Sequence, residues 1–224
     1  MKKVALLLFG ISYSEYKHWN RHWFKNNLMI DYKYSYENYQ KYIFKYFNNL
    51  NYDIDVFFCT NKSSKQDEII KLYKPKSYMF IDNLDCNHLS KNIKIKNVLE
   101  LCINYSSYNN IDYENVIMSR FDLYFLDDFN KVNIDLNKFN FVSIMEKNNR
   151  VCDNFYIFPF KIIKKFLRII NSKLDISLHF IYNDVEDISE INFIKNENVD
   201  IANLSFYKII RNPIEFFISE MYPN

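Results

Sequence analysis

IKNVLELCINYSSYNNIDYENVIMSRFDLYF, residues 95–125, contains the change of period that decides the fold. Ile95, Val98, Leu99, Cys102 and Ile103 fall at i, i+3, i+4, i+7 and i+8, the spacing that lines one face of an α-helix. A polar turn at Asn109 and Asn110 follows. Asn115, Val116, Ile117 and Met118 then form a short run with no helical period, as in a strand covered on both faces. A helix followed by a buried strand is the second part of a βαβ unit, so a parallel sheet is expected.

Upstream, the same alternation repeats. Val4 to Phe9 reads as a first buried strand ending at Gly10, and Ser12 to Asn27 as a long loop with one helical turn. From Ser35, a plausible cap, Tyr36, Tyr39, Ile43, Phe44, Phe47 and Leu50 keep helical spacing. Asp53 to Thr60 predicts a second strand, Lys65 to Tyr73 a helix closed by Pro75, and Tyr78 to Ile81 a third strand. Downstream, Phe139 to Met145, Asn154 to Phe158, Asn192 to Ile194 and Val199 to Lys208 read as strands, with one helix from Phe160 to Ile170. The expected fold class is α/β, a mostly parallel central sheet flanked by helices. One domain over residues 1–224 is expected, with halves at 1–125 and 126–224.

Composition limits the function. The formal charge is +2 and lysines are spread along the chain, which argues against nucleic acid as the main partner. Aromatic residues form 19% of the chain, so a base-stacking module stands as a distant alternative to plain core packing. The one glycine, Gly10, excludes dinucleotide fingerprints, P-loops and nucleophile elbows, which need several. Cys59, Cys86, Cys102 and Cys152 show no CxxC spacing and read as free thiols in a reducing compartment. Lys2 and Lys3 before Val4 to Phe9 resemble a short signal peptide, but the run is short and lacks a small-residue cleavage site. No stretch has the apolar length of a membrane span, and a cytoplasmic location is expected. Abundant Asn, Lys, Ile and Tyr suggest an AT-rich coding genome, a large DNA virus or a low-GC microbe; a viral origin would mean the host cytoplasm.

Arg120 and Asp122 interrupt the apolar strand that begins at Val116. An isolated ion within such a strand is costly to bury, so both should emerge where the strand leaves the sheet. Open α/β sheets hold ligands at the carboxyl ends of their strands. Arg120, Phe121 and Asp122, between Val116–Ser119 and Leu123–Phe125, resemble the DxD region of GT-A glycosyltransferases. The run Ile117 to Phe125 is similar to the RxD variant of capsular-polysaccharide and large-virus glycosyltransferase-like proteins. The strand Asp53 to Thr60, the helix Lys65 to Tyr73 and the segment Tyr73 to Lys76 occur in the same order there. The resemblance covers about two thirds of the chain.

It implies a GT-A, Rossmann-like fold that moves a hexose or deoxyhexose from a nucleoside-diphosphate donor to a hydroxyl of a glycan or glycoprotein acceptor. In that family the last Asp of the motif, here Asp122, holds Mn²⁺ or Mg²⁺ against the donor diphosphate. Arg120 stands where the first carboxylate belongs, which puts metal dependence in doubt; its fork of donors suits a diphosphate directly. Gly10, Ser12 and Tyr13 match the nucleoside-binding turn, with a plain strand-ending turn as the alternative. Lys33, beside Asp31 and Ser35, is a possible donor contact, though capping explains part of that group. Asp153, before Asn154, matches the carboxylate that meets the acceptor hydroxyl and is the candidate general base; an Asx turn is the alternative. His179 falls where some relatives supply a late metal or phosphate ligand.

Other groups are weaker. His18 and His22 are four apart, but with Trp19 and Trp23 they read as an aromatic cluster. Asp127 and Asp128 read as an exposed turn. A non-catalytic glycan- or partner-binding protein on the same fold is the alternative to a glycosyltransferase, because Arg120 weakens the metal site.

Overall fold

Lys2–Gly10 forms strand β1, and every side chain from Val4 to Phe9 is buried. The strand period of two sends Val4, Leu6 and Leu8 into one core and Ala5, Leu7 and Phe9 into another. A computed structural model describes residues 2–18, 27–82, 88–145, 150–195 and 206–210. After β1 come β2 (Tyr13–His18) and β3 (Asn27–Asp31), then α1 (Tyr32–Tyr39), a π-helical turn (Gln40–Phe44) and α2 (Lys45–Asn49). Next are β4 (Tyr52–Asn61), α3 (Gln66–Tyr73), β5 (Ser77–Ile81), α4 (His88–Asn109), β6 (Asn115–Arg120) and β7 (Leu123–Phe125). The remainder comprises β8 (Phe139–Phe141), β9 (Ile144–Met145), β10 (Arg150–Val151), β11 (Phe155–Pro159), α5 (Ile163–Ser172), α6 (Tyr182–Glu186), β12 (Ile191–Phe193) and β13 (Tyr207–Ile209).

Seven strands make one sheet in the order β12-β8-β11-β6-β1-β4-β5. β1 is parallel to β4 and β6, β4 to β5, and β8 to β12; β11 alone runs antiparallel, to both β6 and β8. Strands from both sides of residue 125 therefore share the sheet. Tyr39, Ile43 and Phe47 pack with Ile69 and Tyr73 of α3 on one face. Val98, Leu99 and Cys102 of α4 pack with Phe166 and Ile170 of α5 on the other. Each such Leu, Ile or Phe contributes roughly 1.5–3 kcal/mol by leaving water. Asn38 ties α1 to β7 by accepting from Phe125 N–H at 2.8 Å and donating to its carbonyl at 3.0 Å. None of the helices among the described residues is long and apolar enough to cross a membrane.

The sequence reading needs correction in three places. Within the loop expected over Ser12 to Asn27, residues 13–18 form strand β2, paired with β3 (Asn27–Asp31); a register shift between Ser14 and Lys17 breaks the alternation that would have shown it. The first helix starts at Tyr32, capped by Asp31, whose carboxylate accepts from Lys33 N–H at 2.9 Å, while Ser35 is buried within it. The predicted strand Phe139–Met145 splits into β8 and β9, because β8 pairs with β11 and β12 while β9 turns away to pair with β10. Of the predicted strand Val199–Lys208, residues 199–205 lie outside the described residues, and β13 covers Tyr207–Ile209.

With one glycine in the chain, Asn51, Lys74 and Asn110 occupy left-handed turns at φ 62, 46 and 51°. Asn tolerates this conformation, whereas Lys74, closing α3, gains nothing from its side chain there. Lys74→Gly is expected to raise unfolding free energy by about 1 kcal/mol, read from urea titration. Cys59, Cys102 and Cys152 are buried and free. Burial pushes the thiols of Cys59 and Cys152 up to about 11 and that of Cys102 up further, which suppresses the thiolate that alkylating agents need. Iodoacetamide near pH 8 should therefore leave these three unlabelled in native protein and label them after denaturation, as peptide mass spectrometry will report.

Candidate active site

From β1 the chain passes to β4 on one side, and later to β6 on the other. β6 is entered at its amino end, so what parts at the carboxyl ends is the exit of β1 toward β4 and the exit of β6 toward β11, and open α/β sheets place ligands at such a switch. Phe9 sits opposite Arg120 in register, so Gly10 and the Arg120–Asp122 segment meet there. Gly10 has φ +99°, and a Cβ built on it would meet only Arg120 Cγ, at 4.0 Å. Conformation rather than space is what glycine supplies at this turn.

Phe121 N–H donates to Phe9 carbonyl at 3.0 Å, and Ile210 N–H to Asp122 carbonyl at 2.8 Å, so the turn after β6 is held from both sides. Asp122 is 1% exposed. Arg120 grips its carboxylate with a two-pronged fork, Nε to Oδ1 at 2.7 Å and Nη2 to Oδ2 at 2.5 Å. Nη1 donates to Asn154 Oδ1 at 3.3 Å, and the Arg120 N–H donates to the Asn154 carbonyl at 3.2 Å. Asn154 is oriented in turn, its amide donating to the Tyr207 hydroxyl at 3.3 Å. Tyr39, from α1, donates to the Arg120 carbonyl and lies 3.0 Å from Ser119 Oγ. Burial works against the Arg120 charge, but Asp122 outweighs it and holds the guanidinium above its ordinary value.

A second cluster adjoins the first, because antiparallel β11 begins where β6 ends. Asp153 is buried and pairs with Lys91 from the opening of α4, while His179 Nε2 lies 3.5 Å from its other oxygen. His179 Nδ1 is 2.7 Å from the Val151 carbonyl, which can only accept, so Nδ1 carries the hydrogen. Burial pushes the Asp153 carboxyl up; Lys91, then His179 and Arg120, outweigh burial and hold it below the ordinary carboxylate value. Lys91 stands at the positive end of a 22-residue helix, an unfavourable place for a cation that Asp153 compensates.

The remaining predicted residues make their contacts outside these two clusters. Ser12 is buried, its N–H donating to Thr60 Oγ1 at 3.0 Å and its hydroxyl accepting from Thr60 at 2.9 Å, so both its polar groups join β1 to β4. Tyr13 meets Tyr32 edge-on, with ring centroids 6.4 Å apart. Lys33 is exposed, 3.7 Å from Glu68 and above the Tyr32 ring. Glu68 also accepts from the Tyr32 hydroxyl and Lys65, which makes it the centre of that group. Asp127 pairs with Lys195, and Asp128 caps the turn at Phe129–Lys131. Trp19, His22 and Trp23 lie outside the described residues, as does the side chain of His18.

Lys91, Asn154, Tyr39 and Glu68 were missed from sequence. Only Asn154 carried a signal, its place beside Asp153; the others depend on contacts across 62, 81 and 36 residues.

The described residues contain no group of three or more His, Cys, Asp or Glu side chains placed to hold a metal ion. Asp122 is buried with both oxygens engaged by Arg120, and His179 is turned toward Asp153. A divalent ion at Asp122 would first have to displace a guanidinium, so these side chains as arranged do not suit Mn²⁺ or Mg²⁺. A depression of about 590 Å³, lined by Lys76, Ser77, Asn104, Tyr105 and Tyr108 among others, lies at the amino end of β5 and the last turns of α4, at the other end of that helix from Lys91.

No protein-family model matches the chain, and no curated protein does. Solved structures resemble it at low identity. A nucleoside-diphosphate-sugar pyrophosphorylase from Vibrio cholerae RC9 is 11% identical, with 85% of this chain and 90% of that chain covered and a TM-score of 0.48. A cytidylyltransferase from Leptospira borgpetersenii serovar Hardjo-bovis is 11% identical over 96% of this chain and 84% of that one, TM-score 0.49. A glycosyltransferase involved in glycosylation of the major capsid of PBCV-1 is 11% identical over 75% and 65%, TM-score 0.38. At this level of likeness the chemistry of the site stands on its own geometry.

Removing one member of a buried ion pair strands the other, which costs about 3–5 kcal/mol, whereas replacing both by apolar groups is often neutral. Asp122→Ala should accordingly destabilise the protein by about 3 kcal/mol, and the double change Arg120→Met with Asp122→Leu by clearly less. Chemical denaturation of the two variants provides the comparison.

Proposed function

We propose that the protein is a glycosyltransferase that takes a sugar from a nucleoside-diphosphate donor and attaches it to a hydroxyl of a glycan or glycoprotein. The observation that carries this reading is the meeting of Gly10, Arg120 and Asp122 with Asp153 and His179 at the carboxyl rim of β1 and β6, where the strand order reverses. The resemblance of Ile117 to Phe125 to the RxD motif assigns that rim a diphosphate. The segment to residue 125 takes the nucleotide end, with Tyr13 and Lys33 beside the nucleoside, and residues 126–224 take the acceptor.

In this reading Asp153 accepts the proton of the acceptor hydroxyl as its oxygen bonds to the anomeric carbon. The bond from that carbon to the donor phosphate breaks, and its electron pair leaves with the nucleoside diphosphate. Arg120 faces the departing phosphate. The depressed proton affinity of Asp153 keeps it ionised at neutral pH, ready to accept, but makes it a weak base. That weakness, with the saturation of Asp122 by Arg120, favours a second reading in which the fold binds a nucleotide-sugar or glycan without turnover.

A thermal-shift screen of nucleotide-sugars should find one that raises the midpoint, because a ligand of the native state stabilises by mass action. With that donor, hydrolysis or transfer to an acceptor glycan is expected, and Asp153→Asn should reduce turnover about 100-fold or more while leaving the thermal shift in place. A shift without turnover in the unaltered protein selects the binding-protein reading, and no shift with any nucleotide-sugar removes both.

A further inference from the structure

We infer that Arg120, buttressed by Asp122, takes the place of the divalent cation, so that this chain binds the donor diphosphate without a metal. The inference rests on the nucleotide-sugar reading and adds to it the identity of the group that meets the negative charge. Its basis is the division of the guanidinium. Of its five N–H donors, Nε and one on Nη2 go to Asp122 and one on Nη1 goes to Asn154, which among the described residues leaves one on each terminal nitrogen. Within the pair, the Asp122 side chain is 1% exposed and the Arg120 side chain 20%, so the carboxylate forms the inner half and the guanidinium the outer. The pair is neutral overall, and of its two side chains the cationic one is the more exposed.

Asp122 therefore acts as a positioning residue. Its two oxygens fix the plane of the guanidinium, and Asn154, itself held by Tyr207, fixes the third donor. A guanidinium immobilised by three hydrogen bonds loses little side-chain freedom when an anion arrives, which is how pre-organisation raises affinity. Planar N–H pairs match phosphate oxygens in two-point contacts, a geometry that an ammonium lacks. Gly10 adjoins this guanidinium's stem, a Cβ there falling 4.0 Å from Arg120 Cγ. A divalent ion has no equivalent place, because both oxygens of the carboxylate it would need are already engaged by the Arg120 guanidinium.

Calorimetric titration of the full chain with UDP, GDP, CDP, ADP and dTDP, each in EDTA and again in Mn²⁺, tests this. At least one nucleoside diphosphate should bind, with dissociation constants in the two conditions agreeing within about twofold. Mn²⁺ titrated alone should give no heat of binding. Arg120→Lys, which keeps the charge and loses the fork, should weaken binding about tenfold or more, and Asp122→Asn should weaken it by a smaller factor that Mn²⁺ does not restore. The double change Arg120→Met with Asp122→Leu, checked by circular dichroism to be folded, should abolish binding. Binding that requires Mn²⁺, or full affinity in the double variant, overturns the inference and leaves the nucleotide-sugar reading standing. Absence of binding by every nucleotide in both conditions overturns the two together.

Discussion

Burial of Val4 to Phe9 on both faces of β1 governs how the rest of this chain is arranged. A strand with apolar side chains on both faces needs a helical layer above and below, and backbone partners on both edges. The chain supplies β4 on one edge and β6 on the other, both parallel, and it leaves β1 toward β4 but leaves β6 toward β11, on the opposite side. The opening between them follows from packing β1, before any chemistry is considered. Gly10 stands at the edge of that opening because the backbone must leave the strand through a left-handed conformation.

What could be read from sequence divides along the same line. Val4 to Phe9, Asp53 to Thr60 and Ile95 to Ile103 were legible because burial on a regular element writes its period into the residues themselves. β2 was not, because a register shift in its pairing with β3 erases the alternation, and the start of α1 was misplaced because Asp31 and Ser35 are equally good caps on paper. Arg120 and Asp122 stood out as ions within an apolar strand. Their mutual bond did not follow from this, since residues two apart on a regular strand share a face but need not touch; the turn at Phe121–Asp122 folds one onto the other. Lys91 had no signal at all. It reaches Asp153 only because α4 runs back along the sheet and delivers its first turns to the rim where β6 ends and β11 begins.

Charge at this rim is arranged in buried pairs. Lys91 and Asp153 are matched, Arg120 and Asp122 are matched, and Asn154, next to Asp153, links the two through its amide oxygen. Two buried carboxylates without those cations would repel each other and bear a desolvation cost of several kcal/mol apiece. Pairing removes that cost, and it also settles how the groups meet a ligand. A carboxylate with both oxygens engaged is a poor ligand for a hard cation, while a guanidinium with donors left over remains a good one for an anion.

The residue at position 120 thus sets the polarity of this rim without changing the fold that presents it. A carboxylate at position 120 would leave Asp122 unpaired, and two acidic groups at the end of one buried strand would need a cation to coexist there. Arginine at 120 supplies that cation covalently, from within the chain, and the supporting bonds from Asn154 and Tyr207 keep it in one place. The sheet, the glycine turn and the crevice are the same in either case. What differs is whether the positive charge must be recruited from solution or is already built into the strand.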